Sequence, residues 1–309
     1  MNLKSMNKRM ISVVLAAVLA VISAGFTSFP AGAAKKQTAS AGDARKSRSS
    51  VAATAPVQPV NTPLNIVFLG DSNYSFGRES LNSVPEQTKL VLGSFFGKDA
   101  RVYNLSIGGT TASVLPGINK VNETYPPEYL TKMNGICLVN IVNILTKKAE
   151  PDPLYSEMSG VDYKGLVQDS PAVDWFVIGF GTNDYNGGVQ ATGRSSGKQT
   201  YESAMRYSVM RLKKYYPNAK ILVCAPIPNI NTSAGWNGDL VDKGGGTLVR
   251  YVDVALNVAA ETGVHSLDSH RIMGIDSSTA PDYLADGCHL NAAGRRLYAL
   301  YIANSIVNG

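Results

Sequence analysis

The chain is predicted to form an α/β domain, a parallel sheet with helices on both faces. Three observations predict it. Short apolar runs recur from residue 64 to residue 267, several closed by glycine or proline. Helical patterns lie between them, the alternation expected of strand–helix–strand units. The composition, 44% hydrophobic and 17% charged over 309 residues, is that of an ordinary globular chain long enough to bury a full core.

The elements follow in order. Asn65-Ile-Val-Phe-Leu69, ending at Gly70, reads as a buried strand. Arg101 to Ile107 alternates less cleanly and stops at Gly108-Gly109. Asp174 to Phe180 is a third run, ending at Gly181, and Lys220 to Ala225 a fourth, stopped by Pro226. Gly263 to Leu267 is a weaker fifth. Thr200 to Tyr216, Leu248 to Thr262 and Ala292 to Val307 carry apolar residues at three-and-four spacing and read as helices. Ile136 to Lys148 reads as a crossover helix between two parallel strands. The stretches 112–134 and 149–165 are left as loops at the edge of the site, open to a lid role.

Charge divides the chain in two. Residues 1–62 hold eight Lys/Arg and one acid, Asp43, for a net of +7. Residues 63–309 hold 21 basic and 22 acidic side chains, a net of −1. The positive balance belongs to the N-terminal segment, so a nucleic-acid-binding body is excluded. Lys4, Lys8 and Arg9 precede the apolar run Ile11–Ile22, followed by the small residues Ala31-Gly32-Ala33-Ala34. This is the pattern of a secretory signal peptide over residues 1–33, cleaved after Ala33. Residues 34–62 contain no Leu, Ile, Phe, Tyr or Trp and read as a disordered basic linker. It is expected to be a solvated spacer, with weak attraction to an anionic wall or membrane surface as the other reading. Residues 63–309 form the folded domain. The expected location is outside the cell or in the wall.

Ligands of such folds bind beyond the C-terminal ends of the strands. Gly70-Asp71-Ser72-Asn73, Gly108-Gly109-Thr110 and Gly181-Thr182-Asn183-Asp184 follow the first three strands, and Asp286-Gly287-Cys288-His289-Leu290-Asn291 precedes the last helix. In this order the four blocks resemble those of the SGNH (GDSL-type) hydrolases, over residues 65–305. The resemblance implies a flavodoxin-like αβα sandwich with a mostly five-stranded parallel sheet, and ester hydrolysis through a serine. It implies Ser72 as nucleophile, His289 as general base and Asp286 as the carboxylate that orients it. It also implies an oxyanion hole formed by the backbone N–H groups of Ser72 and Gly109 and the side-chain amide of Asn183.

The residue types suit those roles. A serine hydroxyl needs a base to accept its proton, and imidazole is suited to that near neutral pH. An amide side chain and a glycine N–H are neutral donors for a developing oxyanion. Asn73 and Leu290 depart from the family's usual residues and are expected to take no catalytic role.

Other candidates are weaker. Cys288 reads as a spacer residue beside the histidine and Cys224 as core, while any pairing involving Cys137 stays open. Gly193-Arg-Ser-Ser-Gly197 matches G-x-S-x-G but lacks the strand and helix that motif needs. Gly244-Gly245-Gly246 reads as a hinge or helix lead-in. His265 and His270 lack the spacing of a zinc site, so no metal or cofactor is expected. The expected substrate is a small-molecule or polysaccharide ester bearing a short acyl group, with Tyr74, Tyr185 and Trp236 read either as aromatic contacts to a sugar ring or as packing for the loops. Longer acyl chains, transfer to a sugar hydroxyl, or a binding protein that retains the fold are the alternatives.

Overall fold

The computed structural model describes residues 62–114, 136–150, 153–161, 172–194 and 197–309. The expected export signal and all of the linker before Thr62 lie outside the described residues. So do 115–135, 162–171 and both serines of the G-x-S-x-G match, which leaves most of the stretch 112–134 undescribed; within 149–165, expected as loop, Pro153–Ser159 is instead a helix.

The strands are β1 (Leu64–Gly70), β2 (Ala100–Asn104), β3 (Trp175–Gly179), β4 (Lys220–Cys224), the short β5 (Ile230–Asn231) and β6 (Trp236–Asn237), and β7 (His265–Leu267). Five of them form one sheet in the order β2-β1-β3-β4-β7, every pair parallel. With β5 and β6 set apart as an antiparallel hairpin, this is the flavodoxin-like order expected. β2 is shorter than its apolar run. Leu105 and Ile107 still donate to the β1 carbonyls of Phe68 and Gly70, but Asn104 and Ser106 turn inward and end the regular ladder.

The helices are α1 (Ser72–Ser75), α2 (Val84–Phe96), α3 (Leu138–Leu145), α4 (Pro153–Ser159), α5 (Thr182–Asn186), α6 (Tyr201–Tyr215), α7 (Leu248–Thr262), α8 (Ser269–Ile272), α9 (Ala280–Tyr283) and α10 (Ala292–Asn308). Alternation along the strands divides the core. Val67, Leu69, Phe176, Ile178, Ile221 and Val223 pack with α3, α6 and α7. The intervening Ile66, Phe68, Val177 and Leu222 are equally buried and face the layer of α2 and α10, which pack on each other. The result is a three-layer sandwich.

Helix α2 was not among the sequence expectations. Its start is nonetheless written in Ser83-Val-Pro-Glu86: Ser83 Oγ accepts from Glu86 N, and Pro85 lies in the first turn. Gly97, at φ 62°, ends it in the left-handed conformation.

Two glycines shape the upper edge of the sheet. Gly70 and Gly179 pair across β1 and β3, and the Tyr74 ring lies on both. A Cβ at Gly179 would sit 2.6 Å from that ring, which cannot retreat because it packs on Phe68 and Tyr298. Gly179→Ala is therefore expected to destabilise the fold by about 1–3 kcal/mol, the usual scale for overpacking. Thermal unfolding reads this out, and an unchanged midpoint would contradict the assigned role of Gly179.

Candidate active site

Ser72 is delivered by the end of β1. Asp71 caps α1, its carboxylate accepting from Asn73 N at 2.9 Å. Ser72 is then the first helical residue, so its N–H has no acceptor within the helix. The side chain is almost buried, at 7% exposure.

His289 comes from the other end of the chain. Asp286 Oδ1 accepts from the backbone N–H groups of Cys288, at 2.9 Å, and His289, at 2.8 Å. These bonds fold residues 286–289 into a tight turn. Asp286 Oδ2 then lies 2.7 Å from His289 Nδ1, and His289 Nε2 lies 2.9 Å from Ser72 Oγ. Burial raises the Asp286 carboxyl, but the bonds from His289 and the two N–H groups outweigh it and hold the group below its ordinary value. An ionised carboxylate only accepts, so Nδ1 carries the proton and Nε2 is left to accept from the serine hydroxyl. Such an arrangement can take the hydroxyl proton as the oxygen attacks a carbonyl. Hairpin β5–β6 braces the turn: Ile230 N donates to Gly287 O at 2.7 Å, and Asn231 Nδ2 to Asp286 O at 3.3 Å.

The candidate oxyanion donors come from two further strand ends. Gly109 holds φ 76°, a left-handed conformation that favours glycine. A methyl added at its neighbour Gly108 would lie 3.6 Å from Ser72 Cβ, so this loop runs directly past the serine. Asn183, on α5, is 7% exposed and donates from Nδ2 to Thr110 O at 2.9 Å. That nitrogen carries a second N–H for a substrate oxygen. The next residue, Asp184, is fully buried and holds the same loop. It accepts from Ala112 N at 2.9 Å, from Ser113 N at 3.1 Å and from the Ser113 hydroxyl.

The other sequence candidates fall away from the chemistry. The three cysteines are free thiols, and burial pushes Cys288 up to about 12, which leaves it a poor nucleophile at neutral pH. Cys224 is core, as expected. His270 bonds Pro226 O and Asp239, and His265 packs on Trp175. Among the described residues, no group of three His, Cys, Asp or Glu could hold a metal ion. Gly244 and Gly246 donate to Asp242 and lead into α7. The contact reading of the aromatic residues is overturned at two positions. Tyr74 and Tyr185 are buried at 1% and 0% exposure, committed to the core and unable to stack on a substrate. Of the three aromatic candidates, Trp236 alone is partly exposed.

The GDSL-like lipase/acylhydrolase family model matches residues 68–297, which include all four blocks. The chain belongs to this family. No curated protein matches it. Among solved structures it is similar to a protein from Lactobacillus plantarum, at 18% identity and a TM-score of 0.52, covering 79% of this chain and 97% of that one. It is similar too to a possible lipase from Chitinophaga pinensis, at 14% identity and a TM-score of 0.51, covering 79% and 98%. These likenesses carry the fold. Membership of the acylhydrolase family gives the chain its general activity, the hydrolysis of esters.

The sequence reading of this acylhydrolase missed Asn73. Its buried side chain accepts from Leu290 N at 3.1 Å and donates to Cys288 O at 3.4 Å. Those are the backbone groups on either side of His289. The expectation that Asn73 takes no catalytic role left out this positioning contact: an aliphatic side chain here could make neither bond. Phe76 adds a second contact, stacking on the imidazole at 4.3 Å with its ring 44% exposed.

Asn73→Ala is expected to lower kcat about 10- to 100-fold with little change in KM, because a displaced base weakens the chemical step more than binding. Steady-state kinetics on p-nitrophenyl acetate measure it. An unaltered kcat would remove Asn73 from the site.

Asp71 makes the acylhydrolase pH-sensitive in stability. Burial drives its carboxyl up to about 6, with Asp184 adding to the rise and the Asn73 N–H and His289 opposing it. An unfolded aspartate titrates near ~3.9. The folded state thus holds this proton more tightly. That contribution is complete below about pH 4 and is lost as pH rises through about 6. Asp71→Asn keeps a capping acceptor and never ionises. Its stability relative to wild type should rise between pH 4 and pH 8, by up to about 3 kcal/mol. Denaturant titration at both pH values tests this, and a pH-independent difference would refute it.

Proposed function

We propose that this acylhydrolase is an exported serine esterase that removes short acyl groups, acetyl above all, from carbohydrates. The observation that carries the reaction is the His289 imidazole set between Ser72 Oγ and Asp286 Oδ2. In the proposed cycle, Ser72 Oγ attacks the ester carbonyl while His289 Nε2 takes its proton. Asp286 stabilises the resulting imidazolium. The oxyanion accepts from Ser72 N, Gly109 N and Asn183 Nδ2. Collapse expels the alcohol, which takes the proton back from His289 and leaves an acyl group on Ser72. Water, deprotonated by the same imidazole, releases the acid and restores the hydroxyl.

The surroundings support a small acyl group. Gly108, which has no side chain, passes both Ser72 and Ser75, and the Asn183 amide bonds Thr110 O in the same loop, so the groups known around the serine are small or polar. Export is supported by the charged, apolar and small-residue segments of residues 1–33. The basic linker gives weak attraction to an anionic wall or membrane surface. A longer acyl chain is the second reading, and the exposed Phe76 ring beside His289 favours it. A sugar hydroxyl in place of water would make the same cycle an acyl transfer, which product analysis with an added acceptor distinguishes.

Ser72→Ala is expected to lower turnover at least about a thousandfold while leaving the unfolding midpoint nearly unchanged. For the wild type, kcat/KM over a chain-length series of p-nitrophenyl esters should peak at two to four carbons. Substantial activity in the alanine variant would displace Ser72. A maximum at eight carbons or more would replace the short-acyl reading with the lipase-like one.

A further inference from the structure

Lys243 is linked through Asn186 to Cys288, the neighbour of His289, and no acid among the described residues pairs with its ammonium. Asn183 and Asn186 are three residues apart on α5, and side chains at that spacing share a helix face. Asn183 bonds Thr110 O in the loop that passes the serine. Asn186, about 5 Å further along the axis, approaches Cys288 Sγ through Nδ2 at 4.0 Å and accepts from Lys243 Nζ through Oδ1 at 3.1 Å. The ammonium therefore stands one residue layer behind the turn that carries His289.

Two aromatic rings hold it there. Lys243 Nζ is 4.6 Å from the centre of the Trp236 ring and 5.4 Å from that of Tyr185. The rings themselves are 6.2 Å apart. Trp236, which the sequence suggested as a sugar platform, thus has a ring face covered by a cation. The pair's evident work is to fix a charge.

That charge has unused capacity. An ammonium carries three N–H donors, and Asn186 takes one. Among the described residues, no carboxylate lies within 4 Å of it. The nearby acids are engaged elsewhere: Asp239 on His270, and Asp242 on the N–H groups of Gly244 and Gly246. Burial lowers the Lys243 ammonium below its ordinary value, as expected of a cation set among rings with no counter-charge. The side chain as a whole remains exposed, so a ligand can reach it.

We infer that Lys243, held by Trp236, Tyr185 and Asn186, is an anion subsite that selects substrates carrying a carboxylate on the alcohol side of the ester, such as acetylated uronic-acid residues. The inference rests on the carbohydrate-esterase reading above and names its substrate class. In this proposal the acyl group is held at Ser72, and the acidic sugar extends past Asn186 to the ammonium. A charged hydrogen bond of this kind is worth roughly tenfold in kcat/KM.

The test compares monoacetylated methyl glucuronoside with monoacetylated methyl glucoside, with p-nitrophenyl acetate monitoring the reaction centre. Wild type should prefer the acidic sugar about tenfold at low salt, and the preference should shrink as ionic strength rises. Lys243→Gln should bring the acidic-to-neutral ratio close to one, and Lys243→Arg should retain most of it. No preference in wild type, or the same ratio in Lys243→Gln, overturns the subsite while leaving the esterase reading intact. Turnover of p-nitrophenyl acetate with neither sugar ester accepted overturns the carbohydrate reading and the subsite together. Preference retained in glutamine and arginine variants alike would assign the acid to another group and refute the role of Lys243.

Discussion

Parallel register is the constraint from which the site follows. All five strands of the main sheet run in one direction, so their C-terminal ends gather at one edge. Each crossover must leave from that edge, and the first residues past it meet whatever leaves the neighbouring strands. Gly70 and Gly179 stand level in the ladder, so the segments that carry Ser72 and Asn183 leave the sheet side by side. The Gly108-Gly109 loop follows from β2, the next strand over. Chemistry assembled this way draws on residues as far apart in the chain as Ser72 and His289 without any long arm of chain.

What the sheet brings near, side-chain-to-backbone bonds then lock. Asp184 and Asn183 hold the loop of residues 110–113, and Asn73 holds the backbone around His289. Asn104 Nδ2 reaches the carbonyl of Tyr74 at 3.2 Å. The first and third motif blocks thus each carry a candidate site residue, Ser72 or Asn183, followed directly by a residue that ties down a different block, Asn73 or Asp184. The second kind is buried and polar. A buried carboxylate such as Asp184 must be satisfied by donors, and here the donors are the loop whose shape matters.

The sequence made the fold legible because its strands are buried on both faces and read as unbroken apolar runs. The glycines at their ends were visible for the same reason. Helix α2 escaped notice although its capping signal was present, because Val84, Pro85, Val91 and Leu92 make a broken apolar stripe. The candidate site residues were readable from motif order, and the structure brings Ser72, Asp286 and His289 within hydrogen-bond reach. The aromatic residues stayed ambiguous. Tyr74 and Tyr185 sit in polar, glycine-rich segments that look exposed, yet both rings are core, and at Tyr74 the glycines are what admit the ring. Asn73 was missed because its partners are main-chain atoms 215 and 217 residues away, and no local pattern records such a contact.

The Asp286–His289 pair is a short-range object. Its two side chains are three residues apart, its turn is closed by its own backbone, and the carboxylate side chain is 55% exposed. Carboxylate and imidazole are therefore oriented to each other within four residues, without help from the sheet. The distance to Ser72 is the one that the rest of the fold must set. Asn73 and the β5–β6 hairpin, which bond the backbone of this turn, thus work as a mount: they seat against Ser72 an imidazole that is already oriented.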